Sequence, residues 1–187
     1  MTNRHGDKVT TAVTNLDIHD IARTAKTYGA LGYYLVTPIA DQHEIVGKIL
    51  GYWRTERSRE YHPDRAQALE LAELIDDFEL VKTAVKEKHG VKPVVVMPDA
   101  RVLPSQVSYA GFRKEIWEDY VRDQTPLIFV FGTGWGVDPS FYPEVDRFLA
   151  PIYGPEGEAT GDEKPRGYNH LSVRAAAAIV LDRLLGH

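Results

Sequence analysis

Short, mostly apolar runs alternate with longer amphipathic stretches along this chain, and this alternation constrains the fold more than any other feature. Three such runs lie at residues 32–37, 92–97 and 127–131. Continuous apolar runs of this length are typical of strands buried on both faces, which indicates a parallel sheet. The alternation predicts an α/β fold with a mainly parallel sheet flanked by helices. A chain of 187 residues is expected to form a single domain, residues 1–187.

The remaining segments extend the same α/β pattern. β-branched residues predict a first strand at residues 8–14, and Asp17 is expected to cap a helix that Gly29 closes. Residues 54–65 are dense in charge and are expected to form a loop. Further helices are predicted at residues 40–53, 78–89 and 108–123, a helical turn at 64–69, a strand at 146–152, and a loop at 154–168. Residues 71–75 are predicted to form a strand, with a continuation of the preceding helical turn as the alternative.

Composition excludes several classes of protein. The chain has no Cys, which rules out disulfides, thiolate metal sites and Cys nucleophiles, and fits a reducing, cytoplasmic location. No apolar run reaches membrane-spanning length, and the polar first residues have no signal-peptide core. The net charge of −5 argues against broad, non-specific binding to nucleic acid but allows a local basic patch. No group of residues has convincing metal-ligand spacing, and no metal is expected.

Three loops are expected at the carboxyl edge of the sheet, where ligands bind in such folds. The first is the Gly-rich run from Phe131 to Gly136, and the second is Pro151-Ile152-Tyr153-Gly154. The third is a polar turn in which either Asn169 or Ser172 can cap an Ala-rich last helix. A simpler interpretation is also open, in which the glycines only make a tight turn and the last helix only packs on the sheet.

In this order the loops resemble the cofactor site of the SPOUT methyltransferases, a knotted family that mostly modifies RNA. The resemblance covers nearly the whole chain. Its first motif, an Asn followed by a helix with Arg-Thr, is similar to Asn15, Arg23 and Thr24 here. The other two motifs are the Gly-rich loop and the Pro-Ile-x-Gly and Tyr-Asn-His-Leu-Ser-Val-Arg segments. Together these segments resemble a small group of bacterial stand-alone RNA methyltransferase-like proteins.

The resemblance implies S-adenosylmethionine (SAM) as cofactor, a C-terminal deep trefoil knot, and a homodimer whose active site uses both subunits. It implies an RNA substrate, tRNA or rRNA, methylated on a ribose 2′-O or a base nitrogen. The implied cofactor-binding residues are Phe131, Gly132, Thr133, Gly134, Trp135, Gly136, Pro151, Ile152, Tyr153, Gly154, Asn169, Leu171, Ser172, Val173 and Ala176.

Two candidate catalytic residues follow from the matched motifs. Arg23 stays protonated, and is therefore suited to hold a phosphate or a developing alkoxide rather than to act as a free base. A surface ion pair with Asp20 is the alternative for Arg23. His170 is a candidate general base if the acceptor is a base nitrogen, and a polar rim residue otherwise.

Candidate RNA-binding residues are Asn15, Arg54, Arg57 and Arg59. Arg side chains grip phosphates, and a nearby Trp53 or Tyr61 can stack on a base. The alternative is a solvated loop in which interleaved acidic residues pair with these arginines.

At two places the sequence departs from the pattern of this family, and these departures leave the type of reaction undecided. The ribose-methylating branch of the family usually carries a Glu where this chain has Gly134-Trp135 and an Asn where it has His170-Leu171. The sequence therefore predicts a SAM-dependent RNA methyltransferase, with a SAM-binding module that acts with a partner protein as the alternative. A dinucleotide-binding protein is disfavoured, because the first helix lacks Gly-x-Gly-x-x-Gly.

Overall fold

Helices and parallel strands alternate through the structure, a computed structural model that describes residues 12–134, 136–155 and 168–187. In these ranges the helices are α1 (Asn15–Thr27), α2 (Ala40–Trp53), α3 (Glu56–Tyr61), α4 (Pro63–Leu69), α5 (Phe78–His89), α6 (Tyr109–Glu115) and α7 (Val173–Leu185). The strands are β1 (Tyr33–Val36), β2 (Ala72–Ile75), β3 (Val94–Pro98), β4 (Gln106–Val107), β5 (Leu127–Phe129) and β6 (Arg147–Leu149). A π-helical turn (Ile116–Tyr120) extends α6, and a 3₁₀ helix (Pro139–Glu144) precedes β6.

The strand pairings in the described residues are parallel, as the apolar runs predict. β1 pairs with β2, with Tyr33 opposite Ala72. The other four strands lie in the order β4-β6-β3-β5. Val96 of β3 is paired with Phe129 of β5 on one side and with Arg147 of β6 on the other. Because these strands are parallel, their carboxyl ends meet at one edge, and the α/β prediction with helices on the sheet is confirmed.

Two clusters of buried side chains form the core. The first joins α1, α2 and α4 to β1 and includes Ile18, Val46 and Leu69. The second joins β3 and α6 to α7 and includes Phe112 and Leu184. Each fully buried side chain of this kind contributes about 1.5–3 kcal/mol, so these clusters are the main force holding the strand edge in place. No helix in the described ranges is long and apolar enough to cross a membrane.

The first helix begins three residues earlier than the sequence predicts. Thr14, not Asp17, is its N-cap, and the Thr14 hydroxyl accepts a hydrogen bond from the Asp17 N–H at 3.2 Å. Asp17 lies in the first turn, where the helix dipole favours a carboxylate. Thr and Asp both cap helices well. Here the Asp17 carboxylate accepts a hydrogen bond from Arg174 at 3.0 Å instead of capping the helix. The predicted strand at residues 8–14 lies largely outside the described residues.

The loop predicted at residues 54–65 is wrong, because α3 forms there. Thr55 caps this helix and accepts from the Ser58 N–H at 3.3 Å. Ser58 is 2% exposed, and its hydroxyl donates to the Tyr52 carbonyl at 2.7 Å. These polar contacts hold a short helix that has no apolar periodicity of its own.

The other boundaries mostly agree with prediction. α2 and α5 have the predicted bounds, and the predicted helix at 108–123 is shorter because the π-helical turn ends at Tyr120. Pro98 lies inside β3 rather than after it. Ser172, rather than Asn169, is the N-cap of α7, since the Ser172 hydroxyl accepts a hydrogen bond from the Ala175 N–H at 3.2 Å.

Candidate functional site

Three loops leave the carboxyl ends of neighbouring strands in the four-stranded sheet. Asp99 to Arg101 follow β3, residues 130–136 follow β5, and residues 150–155 follow β6. Strand register places these ends together, since Pro98 pairs with Leu149. The second and third loops are those predicted to bind the cofactor, and the first was not predicted.

The loop after β5 closes tightly on itself. A Cβ atom on Gly132 would lie 2.7 Å from the Val137 nitrogen and 2.9 Å from the Gly136 carbonyl carbon, so no other residue fits without movement. Gly134 and Gly136 have φ of 59° and 83°, in the left-handed region that favours glycine. The Gly136 N–H donates to the Thr133 carbonyl at 3.1 Å. The predicted cofactor residue Trp135 lies outside the described residues.

An Asp99–Arg101 pair, which sequence reasoning missed, holds two of these loops together. Arg101 donates to both Asp99 oxygens, at 2.8 and 2.6 Å, and to the Val137 carbonyl at 3.2 Å. The Asp99 side chain is 7% exposed. Hydrogen bonds from Arg101 to this carboxylate raise the pKa of Arg101 further above its ordinary value. The sequence signal was an Asp directly after an apolar strand, a common position for functional side chains in this fold class.

The loop after β6 contains a tyrosine whose hydroxyl is buried. The Tyr153 hydroxyl is buried and has no hydrogen-bond partner among the residues that the structure describes. Burial raises the pKa of Tyr153, so its hydroxyl stays a hydrogen-bond donor at neutral pH. Ile152 packs against the second core cluster, as Phe131 does, and these side chains anchor their loops. Pro151 is half-buried, and Gly154 is exposed with open space where a Cβ would be.

The segment before α7 docks onto the loop after β3. The Asn169 amide donates to the Ala100 carbonyl at 2.7 Å. Leu171 is 42% exposed beside it, and Val173 and Ala176 are half-buried on the first turns of α7. Residues 99–101 thus contact both the loop after β5 and the segment before α7, while the loop after β6 leaves the neighbouring strand. His170 is exposed, with its ring 5.6 Å from that of Tyr168.

Arg23 and Asn15 lie elsewhere, on a cavity of about 550 Å³ between α1, α2 and α4. His170 does not line this cavity. Arg23 is exposed and has no ion pair within the described residues, so the predicted pairing with Asp20 is absent there. Asp20 instead bonds Arg174 of α7, with 3.4 Å between its Oδ2 and the arginine Nε. Other lining residues are His19, Lys48, Tyr52, Trp53 and Arg65.

The three arginines predicted to bind RNA have different surroundings. Arg54 donates to the Ala72 carbonyl at 2.6 Å and ties α2 to β2. Arg59 forms an ion pair with Glu70 at 3.1 Å. Arg57 is exposed on α3. The cavity side chains Lys48, Tyr52 and His19 were not predicted, and the signal was their spacing on one face of two amphipathic helices.

The loop cluster has the features expected of a SAM site. The glycine turn keeps side chains away from the sheet edge, which allows a ligand to approach the backbone closely. The unpartnered Tyr153 hydroxyl and the exposed Leu171 offer a polar and an apolar contact at the same edge. These observations fit an adenosine-containing ligand, which needs an apolar slot with a few polar contacts.

A family comparison identifies the kind of protein. The profile of a family described as SAM-dependent RNA methyltransferase matches residues 1–186. The chain belongs to this family. SAM is therefore the methyl donor of the family in which this chain lies, and RNA is the family's substrate.

The relatives of this chain differ in length. An uncharacterised protein of Aquifex aeolicus is 38% identical over 182 residues, which cover 97% of this chain and 82% of that protein. A tRNA (guanine-N(1)-)-methyltransferase of Nitratidesulfovibrio vulgaris is 37% identical over 176 residues, 94% of this chain but only 37% of that protein. A protein of the same name from Oleidesulfovibrio alaskensis is covered to 39%. The chain thus spans less than two fifths of these two methyltransferases.

Solved structures support the fold. A probable methyltransferase of Bordetella pertussis has a TM-score of 0.58 at 16% identity, with 90% of this chain and 86% of that chain covered. The SpoU methyltransferase AviRb of Streptomyces viridochromogenes, crystallised with AdoMet, has a TM-score of 0.53 at 15% identity over 93% of this chain and 54% of its own. At such identities the likeness shows the SpoU-type α/β fold alone.

Proposed function

We propose that this chain methylates a nucleotide of tRNA or rRNA, at a ribose 2′-O or a base nitrogen. The observation that carries the proposal is that three predicted cofactor segments lie at one strand edge, two of them bonded to residues 99–101. Ligands bind at this edge in parallel α/β sheets. Membership of an RNA methyltransferase family supplies the substrate class. The proposed location is the cytoplasm.

The loop cluster would hold SAM, whose sulfonium supplies an activated methyl group. Tyr153, Leu171 and Val173 would form the adenine slot, with the Tyr153 hydroxyl as a donor to the ligand. Backbone groups of the Gly132–Gly136 turn and of Ile152 would bond the ligand's polar edges. The Asp99–Arg101 pair fixes the spacing between these walls, which lowers the entropy lost on binding.

Arg23 is proposed to act on the acceptor rather than on the cofactor. It lies on the cavity, apart from the glycine loop, and its guanidinium is free of carboxylates in the described residues. A protonated guanidinium stabilises negative charge that develops on a ribose oxygen as it loses its proton. His170 is exposed, which leaves it able to accept a proton if the acceptor is a base nitrogen.

A SAM-binding module without its own catalysis is the second candidate. Coverage of the two curated relatives favours it, since the tRNA methyltransferase name belongs to proteins more than twice as long as the matched segment. The absence of a Glu at Gly134-Trp135 points the same way. In this case the chain would deliver or sense SAM for a partner protein.

The chain is further proposed to be knotted and dimeric. Support comes from the likeness to SpoU-type structures and from α7, which packs against both α1 and α6. Trp117 and Val121, four residues apart after α6, are 48% and 52% exposed. An exposed apolar pair of this kind is suited to contact a second copy.

Two measurements test the proposal. Calorimetry with SAM and with its demethylated product should show binding, and absence of both at millimolar concentration would exclude the cofactor site. Nucleoside mass mapping of tRNA and rRNA from a deletion strain should then show one lost methylation that the purified protein restores. Binding of SAM with no methylation change in any RNA would favour the module.

A further inference from the structure

The cavity between α1, α2 and α4 is cationic in an acidic protein. Arg23, Lys48 and Arg65 line it. Lys48 pairs with Glu44 outside the lining, and the one lining carboxylate, Asp20, bonds Arg174. The whole chain carries a net charge of −5, so its overall charge does not attract a polyanion. An anionic ligand is therefore directed to this local positive potential.

The same cavity contains an aromatic wall. Tyr52 is 57% exposed, and its ring centroid lies 5.4 Å from that of Trp53 with the planes at 89°. The Arg65 guanidinium carbon lies 5.3 Å from the Trp53 ring centroid. Exposed aromatic rings beside cations are the usual means of holding an unpaired base and its phosphate.

His19 completes the cavity as a neutral group. Burial lowers the pKa of His19, the positive charges of Arg65 and Arg23 lower it further, and Asp20 opposes them. At neutral pH the cationic character therefore comes from arginine and lysine, while the imidazole remains an uncharged wall. The cavity is open to solvent, and its volume of about 550 Å³ has room for one nucleotide.

We infer that this cavity binds one unpaired nucleotide of the RNA substrate, with its base against Tyr52 and its phosphate at Lys48 and Arg65. The inference rests on the proposed function for its choice of RNA. A base can reach such a wall only when it has left its helical stack, so single-stranded or looped RNA is selected over duplex. Asp20 joins the cavity wall to Arg174 in the first turn of α7, the helix that carries the predicted cofactor residues Val173 and Ala176.

The test measures affinity for a 5′-phosphorylated oligouridylate of about eight nucleotides and for an RNA duplex of the same length, by fluorescence anisotropy. Wild type is expected to bind the single strand at least about tenfold more tightly than the duplex. Equal affinity for both would overturn the inference, because it would indicate contact with phosphates alone.

Lys48→Ala tests the phosphate contact against a matched control. Lys48 is 73% exposed and pairs with Glu44, and Lys114 on α6 is 71% exposed and pairs with Glu118 at the same helical spacing. Lys48→Ala is expected to reduce the salt dependence by about 0.7 in the slope of log K against log salt. Lys114→Ala should leave it unchanged, and equal effects would overturn the inference.

Tyr52→Ala tests the base contact. It is expected to weaken single-strand binding about tenfold, with Tyr52→Phe close to wild type, because the ring rather than the hydroxyl stacks. Tyr61 is 78% exposed on α3 and does not line the cavity. If Tyr61→Ala weakens binding as much as Tyr52→Ala, the ligand lies on α3 and the cavity assignment is overturned.

Parallel assays separate this inference from the proposed function. Circular dichroism should show that the variants remain folded, and SAM affinity should equal that of wild type. Wild type that binds single strands through the cavity but transfers no methyl group would overturn the proposed function alone. Methyl transfer with unchanged KM for RNA in Lys48→Ala and Tyr52→Ala would overturn the inference alone.

Discussion

Gly132 has no room for a side chain, because its turn closes at Gly136 and Val137. Gly132→Ala is therefore expected to open the turn, weaken SAM binding at least about tenfold, and cost about 1–3 kcal/mol of stability from overpacking. Gly47→Ala is the control, since Gly47 lies in α2 with nothing within 4 Å of an added Cβ. Calorimetry and thermal unfolding report both effects. Normal SAM binding by Gly132→Ala would exclude this turn as the cofactor cradle.

Arg23 and His170 separate the two acceptor chemistries. If ribose is methylated, Arg23→Ala should keep SAM affinity and lower kcat, because the alkoxide it stabilises exists only in the transition state. A preorganised charged donor is typically worth roughly 3 kcal/mol, about a hundredfold in rate. If a base nitrogen is methylated, His170→Ala should lower turnover more than Arg23→Ala. Single-turnover assays on RNA lacking the modification measure both, and full activity in both variants would refute these assignments.

At the scale of secondary-structure elements, the loop after β3 determines whether its neighbours stay in place. Arg101→Ala leaves the buried Asp99 carboxylate with the N–H of residue 101 but without the guanidinium, and it removes the bond to the Val137 carbonyl, so a loss of about 2 kcal/mol in stability is expected. SAM affinity should fall with it, since two walls of the site lose their spacing. Arg122→Ala is a matched control, because Arg122 also bonds both oxygens of a nearby aspartate, Asp123, but on an exposed surface. Equal losses in the two variants would contradict this role of Arg101.

The periodicity of apolar residues correctly predicted those helices that are stabilised by burying their own apolar face. α2 and α5 are such elements, and their bounds were correct. α3 was missed because it depends on the Thr55 cap and on the buried Ser58, which bonds a carbonyl six residues earlier. The Asp99–Arg101 pair could not be predicted, because its contacts reach residues 36 positions away and Asn169 approaches the same loop from 69 positions away. The cofactor segments came from their resemblance to a family, and their roles stay predictions.

At the scale of the whole molecule, the exposed apolar pair after α6 is the expected dimer contact. Sedimentation at micromolar concentration should show a dimer, and Trp117→Glu should shift it to monomer because a charge would be buried at the interface. Leu80 on α5 has the same exposed fraction, 48%, so Leu80→Glu is the control and should stay dimeric. A monomeric wild type, or a dimer that survives Trp117→Glu, would contradict this interface.

The ion pair between Asp17 and Arg174 joins residues 157 positions apart in the chain. On the ribosome, α1 leaves the exit tunnel long before α7 is synthesised. Its acidic first turn therefore has no Arg174 partner, and the face that α7 covers stays exposed, until α7 has been made. Contacts of such long range close late and slow the search for the native state. The nascent chain is therefore a natural client for chaperones that shield exposed apolar helices, and its native architecture is reached only once synthesis has passed α7.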